Sequence, residues 1–314
     1  IQELRKIYEY AKQEKNVSQM MKAHLTRASL CIDITPDSLD SELSALKAWM
    51  EEEKDTVYQA ILNNLLGYYI LDTGKKDETA IDTAIAYFQR SLQDKEILFR
   101  KSAVDYRPMT NSKELSEKYC GDNMYQLLAR QAISRLSGYF IANPVSAEKI
   151  QTEILSIYDG LIDFYRQQGM TDARLLLMLD KLHYKGNDVS RGGVNERLRL
   201  TDEQVITLLK QWAEEFADSP LCGEVYCQLA ERYDRMQDYT AKLKAAQTGL
   251  AKYPRSLSAN DLKEQAAEVL TPRLVVEIPF AYPAREVDLK VKYRNLTGLT
   301  VELYRMNPPV TSNI

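Results

Sequence analysis

Histidine is nearly missing from this 314-residue chain: His24 and His183 are the only two. They fall in different helical segments, neither in a Glu-x-x-His pattern nor beside a cysteine pair, so no hydrolytic zinc site is predicted. Cysteine is scarce too. Cys31, Cys120, Cys222 and Cys227 are too few for a disulfide framework and lack zinc-finger spacing, so they are read mainly as small buried hydrophobes. Glycine (12) and proline (10) are sparse, which disfavours a fold of many short strands and turns and makes helix the default. No apolar run approaches the ~18 residues of a membrane span. Neither sign of charge dominates: 41 Lys plus Arg face 45 Asp plus Glu, and a net charge of -4 gives no general attraction to a phosphate backbone. Nucleic acid is therefore not an expected partner. The dinucleotide, P-loop and nucleophile-elbow glycine motifs are all absent, and Gly192 with Gly193 alone makes no phosphate cradle.

From residue 1 to about 270, apolar residues recur at helical spacing in segments of ~12 to 20 residues with short breaks. The stripes run Leu4, Ile7, Tyr8, Ala11; Met21, Leu25, Ala28, Ile32; and, after Pro36 at a first-turn position, Leu39, Leu43, Leu46, Met50. Next come Ile61, Leu65, Tyr69; Ile81, Ile85, Phe88, Leu92; and Met124, Leu128, Ala132, Leu136, Tyr139. Ile150, Ile154, Ile157, Leu161 and Phe164 form the cleanest stripe, stopped at Gly169, and Thr171 with Asp172 opens the helix carrying Leu175, Leu179 and Leu182. Thr201 and Gln204 fit a capping box ahead of Val205, Leu208, Trp212 and Phe216. Two stretches, 104–119 and 185–200, break the periodicity and are expected to be long connections, where specific recognition concentrates.

Internal repetition marks residues 200 to 255. Pro220 and Pro254 lie 34 residues apart, the tetratricopeptide period, each closing an apolar helix. In the second unit Tyr226, Leu229, Ala230 and Tyr233 belong to a first helix, Tyr239 opens a second, and Gly249 permits close helix approach. Tyr158, Leu161 and Tyr165 repeat the Tyr-x-x-Leu-x-x-x-Tyr spacing upstream. The expected fold is mainly α: over 1–271, an elongated solenoid of degenerate tetratricopeptide-like hairpins, each burying a face its neighbour leaves open. Over 272–314 the period changes from 3.6 to 2. Leu274, Val276, Ile278, then Val287, Leu289, Val291, Tyr293, then Leu299, Val301, Leu303 read as three strands, with a turn at Asn295 to Gly298. Three strands with one apolar face need an opposing layer, so this segment reads as the start of a β-sandwich. Pro272 and the short linker are expected to hold the first strand, at Leu274, on the last helix around Leu262, Ala266 and Val269.

No residues are proposed as catalytic, cofactor-binding or metal-binding. Glu51, Glu52, Glu53 and Asp55 read as a solvated acidic surface between helices. Tyrosine supplies 20 of the aromatics; Tyr226 and Tyr233 sit at packing positions, although a tyrosine-lined concave face could also hold a peptide or glycan. Asn16-Val17-Ser18 and Asn295-Leu296-Thr297 spell sequons, a pattern short enough to arise by chance.

Several phrases carry a resemblance: Lys22-Ala23-His24-Leu25-Thr26-Arg27-Ala28, then Ile162 through Gly169 (Ile-Asp-Phe-Tyr-Arg-Gln-Gln-Gly), then Ala173-Arg174-Leu175-Leu176. With Tyr293-Arg294-Asn295-Leu296 leading to Val301-Glu302-Leu303-Tyr304-Arg305, the chain resembles the N-terminal part of Bacteroidetes alpha-2-macroglobulin family proteins. The resemblance implies a non-enzymatic scaffold, without cofactor, at the front of a large protease-inhibitor-like envelope protein. It implies a periplasmic or cell-surface location, with an anchor outside this chain. The implied partners are β domains of the same polypeptide, with proteases or another envelope protein beyond them. A tetratricopeptide-like envelope module binding a peptide or glycan is the alternative. Family members with a thioester carry Gly-Cys-Gly-Glu-Gln, whereas this chain has Leu221-Cys222-Gly223-Glu224-Val225. Val225 has no side-chain amide with which to acylate Cys222, so an ordinary thiol is expected there.

Overall fold

The computed structural model describes residues 2–34, 39–73, 78–106, 122–139, 144–186, 200–277 and 289–302. Among them the chain is mainly helical, with a single two-stranded antiparallel sheet near its C-terminus. It divides into two compact units, Ile1–Leu221 and Cys222–Ile314, so the change of period at Thr271 falls inside the second.

The first unit contains α1 (Gln2–Gln13), α2 (Val17–Ile34), α3 (Leu39–Glu52), α4 (Thr56–Thr73), α5 (Glu78–Ser91) and the short α6 (Lys95–Phe99). It continues with α7 (Met124–Tyr139), α8 (Pro144–Gln167), α9 (Thr171–Gly186) and α10 (Asp202–Glu215). Helices adjacent in sequence pack on one another, α1 on α2, α4 on α5 and α8 on α9, and α7 joins α4 to α8. The buried faces are those the periodicity marks. Ile150, Ile154, Ile157, Leu161 and Phe164 are all buried, as are Met124, Leu128, Ala132 and Leu136. Ile7 departs from its stripe and is exposed. One core cluster runs from Ala11 to Leu177 through α1 to α9, so each of these helices is stabilised by neighbours rather than by its own propensity alone.

Local chemistry explains the helix ends. Thr201 and Gln204 make both bonds of the capping box, at 2.9 and 3.3 Å. The acidic run after α3 builds a turn as well as a surface: Glu53 accepts the amides of Lys54 and Asp55, and Asp55 accepts those of Val57 and Tyr58 to start α4. Gly169, at φ 68°, closes α8 with a Schellman pair in which Met170 N donates to Tyr165 O and Gly169 N to Arg166 O. Asp172 accepts the Ser219 hydroxyl at 2.6 Å, tying the start of α9 to the turn after α10.

The second unit comprises α11 (Cys222–Arg235), α12 (Tyr239–Lys252), α13 (Ala259–Leu270), β1 (Arg273–Glu277) and β2 (Lys290–Arg294). Tyr226, Leu229, Ala230 and Tyr233 lie on α11 and Tyr239 opens α12, as the repeat predicts. The two helices meet at Gly249, where a Cβ would stand 2.7 Å from that of Tyr226 and 3.0 Å from Leu262. Glu224 accepts the amide and hydroxyl of Ser258, 34 residues on, so one tetratricopeptide period is bridged by direct hydrogen bonds.

The β segment differs from expectation in two respects. Leu299–Glu302 is described and is not a strand, so two of the three expected strands form among the described residues. Ile278, Val287 and Leu303 lie outside the described residues, as do the turn at Pro36 and nearly all of 104–119 and 185–200. The expected docking of Leu274 on α13 does not occur. That side chain is 47% exposed, and the bonds from sheet to helix come instead from Arg294 and Asn295 at the end of β2.

Candidate functional site

A buried polar cluster in the first unit surrounds His24, and its geometry is structural. His24 and Arg27 are three residues apart on one face of α2, and α3 brings Glu42 against them; exposures are 2%, 9% and 5%. Arg27 donates Nε to Glu42 Oε2 at 2.7 Å and Nη2 to His24 Nδ1 at 3.2 Å. A guanidinium only donates, so His24 Nδ1 must accept and the ring is held neutral with its proton on Nε2. Burial, and secondarily the Arg27 charge, push the His24 pKa down to about 4. Tyr8 and Trp49 close the cluster edge-on at 6.1 Å, with Arg27 5.6 Å from the Tyr8 ring centre. The arrangement fills a helix junction with a charge pair whose donors and acceptors meet each other.

Cys222, Cys227 and the core tyrosines are absorbed in packing, and the side chains of Cys31 and Cys120 lie outside the described residues. Cys222 is fully buried at the start of α11, with Val225 buried one turn later, and burial raises the thiol pKa. Cys227 is buried likewise, its thiol pushed up to about 12 by burial and then by Glu231. Gly223, between Cys222 and Glu224, has a packing role: a Cβ there would sit 2.3 Å from Ser256. Tyr125, Tyr158 and Tyr165 are buried, and Tyr165 holds a network in which Asn123 Nδ2 donates to its hydroxyl and that hydroxyl donates to Gln126 Oε1. His183, the second histidine, is exposed on α9 and far along the chain from His24. No cluster of three or more His, Cys, Asp or Glu with metal-holding geometry occurs among the described residues, and no described helix is long and apolar enough to cross a membrane.

The surface that stands out is the hairpin. Its register pairs Leu274 with Tyr293 and Val276 with Val291, so these four share one face, which Leu289 extends by parity. Leu274 (47%), Val276 (45%) and Tyr293 (67%) are exposed. The opposite face carries Val275 among Arg273, Lys290, Lys292 and Arg294, with one acid, Glu277, which pairs with Lys292 at 2.9 Å and Lys290 at 3.8 Å. An antiparallel sheet with one mainly charged face and one exposed apolar face has the pattern of half of a two-layer structure.

The three helices of this unit are joined by Lys242. Its ammonium donates to Asp234 at 2.7 Å and Glu268 at 2.6 Å, joining the end of α11, α12 and α13. Desolvation opposes this charge, yet the two carboxylates outweigh it and the Lys242 pKa is raised. Sequence reasoning passed over Lys242 and the Arg27–Glu42 pair because each needs tertiary contacts. Comparison with known protein families, with curated proteins and with solved structures finds no match to this chain.

Proposed function

We propose that this chain is a non-enzymatic helical scaffold whose C-terminal hairpin seats a further β layer. In the reading suggested by the sequence resemblance, it is the front of a protease-inhibitor-like envelope protein of the alpha-2-macroglobulin family. The layer is then a β domain of the same polypeptide. One observation carries the proposal: the hairpin presents Leu274, Val276 and Tyr293 to solvent on one face while its other face is mainly charged. Two strands alone are marginal in water, and a covering layer is what makes such a sheet stable. The polar clusters of the helices are consistent with this role, because their donors and acceptors are spent on joining helices.

The test is a photo-crosslinker in place of Tyr293, activated in the native envelope. A crosslink into a β-rich segment of the same polypeptide supports the scaffold. Crosslinking to a bound peptide or glycan, or no crosslink at all, rejects it.

A further inference from the structure

The last of the described helices, α13, ends differently from three others, and the difference assigns a role to Arg294 and Asn295. An α-helix leaves its last four carbonyls without intrahelical donors. In α1, α8 and α11 two of them are satisfied locally by a Schellman pair, closed by a residue at positive φ: Lys15 (54°), Gly169 (68°) and Gln237 (60°). In α1 Lys15 N donates to Lys12 O and Asn16 N to Ala11 O; in α11 Gln237 N donates to Asp234 O and Asp238 N to Tyr233 O. For α13 this closure is impossible. Thr271 is the C-cap, in extended conformation, and the next residue is Pro272, which has no N–H to donate. Thr271 itself serves Ala267 O with its amide and hydroxyl. The two carbonyls that a Schellman pair would take are those of Glu268 and Val269.

Those are the two that the hairpin takes. Arg294 Nη2 donates to Glu268 O, and Asn295 Nδ2 donates to Val269 O. Asn295 lies at φ 54°, a conformation asparagine tolerates better than most residues, and this turn brings its amide back onto the helix end. The Arg294 guanidinium also lies 5.1 Å from the Tyr239 ring centre on α12, and its charge sits at the negative end of the α13 dipole. The Glu268 side chain meanwhile holds Lys242, so one residue links the hairpin to all three helices.

We propose that Arg294 and Asn295 are a latch: they cap α13 from outside the helix and thereby fix the direction in which the sheet leaves the helices. Pro272 has no N–H for Val269 O, and the donors that meet the two carbonyls come from the end of β2. In a scaffold, this contact sets where the seated layer points. The latch concerns geometry within this chain, so it stands or falls separately from the identity of any partner.

The test places spin labels at two exposed positions, Gln247 on α12 and Lys292 on β2, and measures their distance distribution by pulsed electron resonance. Wild type should give one narrow distribution. Arg294→Ala with Asn295→Gly removes both donors while keeping the positive-φ turn. It should broaden the distribution and speed exchange of the β1 and β2 amides by on the order of 10- to 100-fold, the combined loss of one charged and one neutral hydrogen bond. Arg294→Ala alone should give an intermediate result, and Arg294→Lys, which retains a cation at the helix end, should recover part of the narrow distribution. A narrow, wild-type distribution in the double variant overturns the latch. If the double variant unfolds, a single Arg294→Ala variant with unchanged distance distribution and exchange overturns it equally.

Discussion

Acid should weaken the first unit through His24, and the size of the effect follows from its surroundings. The ring is buried and neutral beside the Arg27 guanidinium, with a pKa of about 4 in the folded chain against 6.5 when exposed. The unfolded chain therefore takes up the proton first. Stability is unaffected above pH 6.5, falls as the pH drops below it, and continues to fall until the folded pKa is passed. At 1.36 kcal/mol per pKa unit, the loss is about 2 kcal/mol at pH 5 and about 3 kcal/mol at pH 4. Glu42 Oε2, 3.7 Å from Nδ1, already offsets part of the cost of an imidazolium within that pKa. Trp49 lies 6.4 Å from the ring and reports unfolding of the same helices in a Trp212→Phe background. Urea unfolding of that protein followed by fluorescence between pH 7.5 and 4.5 should show the loss, and the His24→Gln variant should show a flatter profile. Carboxylates titrate in both proteins, so the difference between the two curves is the measurement. Parallel curves between pH 7 and 5 would refute the reasoning.

Four further outcomes are expected. Gly249→Ala forces a Cβ to within 2.7 Å of Tyr226 Cβ, so overpacking of about 1–3 kcal/mol outweighs a helix-propensity gain of about 1 kcal/mol and the second unit melts earlier. Gly138→Ala on α7, where nothing lies within 4 Å, should be neutral or stabilising in the same calorimetric scan. Lys242→Ala removes the partner of two half-exposed carboxylates and a buried stem, for a loss of about 2 kcal/mol by chemical denaturation; Lys242→Met, which keeps the stem, should lose less. Cys222 is an ordinary thiol, so the intact mass should show no loss of ammonia and no methylamine adduct; either change would contradict the departure at Val225.

What the sequence made legible is what depends on neighbours in sequence. The stripe from Ile150 to Phe164 is a 3.6-residue period, and all five members are buried. The Thr201 capping box and the small residue demanded at Gly249 are likewise local rules with tertiary consequences. What escaped was long-range or unusual in residue type. Lys15 and Gln237 close helices at positive φ, where glycine is the usual signal, so nothing in their identity announces the stop. The alternation at Leu299 and Val301 has the period of a strand, but these residues take no part in the sheet. Pairing is a property of partners, and alternation alone supplies none. Arg27 meets Glu42 across a helix junction, and Arg294 meets the end of α13 across 26 residues. Thr271-Pro272 did hold a usable clue: a helix followed by proline cannot make its own Schellman pair, which leaves its end open to donors from elsewhere in the chain.

The central claim is that the hairpin's apolar face is a seat for another β layer. Hydrogen exchange of residues 273–277 and 290–294 tests it most directly, measured in the 314-residue chain alone and in the protein as the cell makes it. The account predicts strong added protection of these strands in the cellular protein, with the helices α11 to α13 unchanged. Equal exchange in the two, or a cellular protein with no β layer to supply, would contradict it.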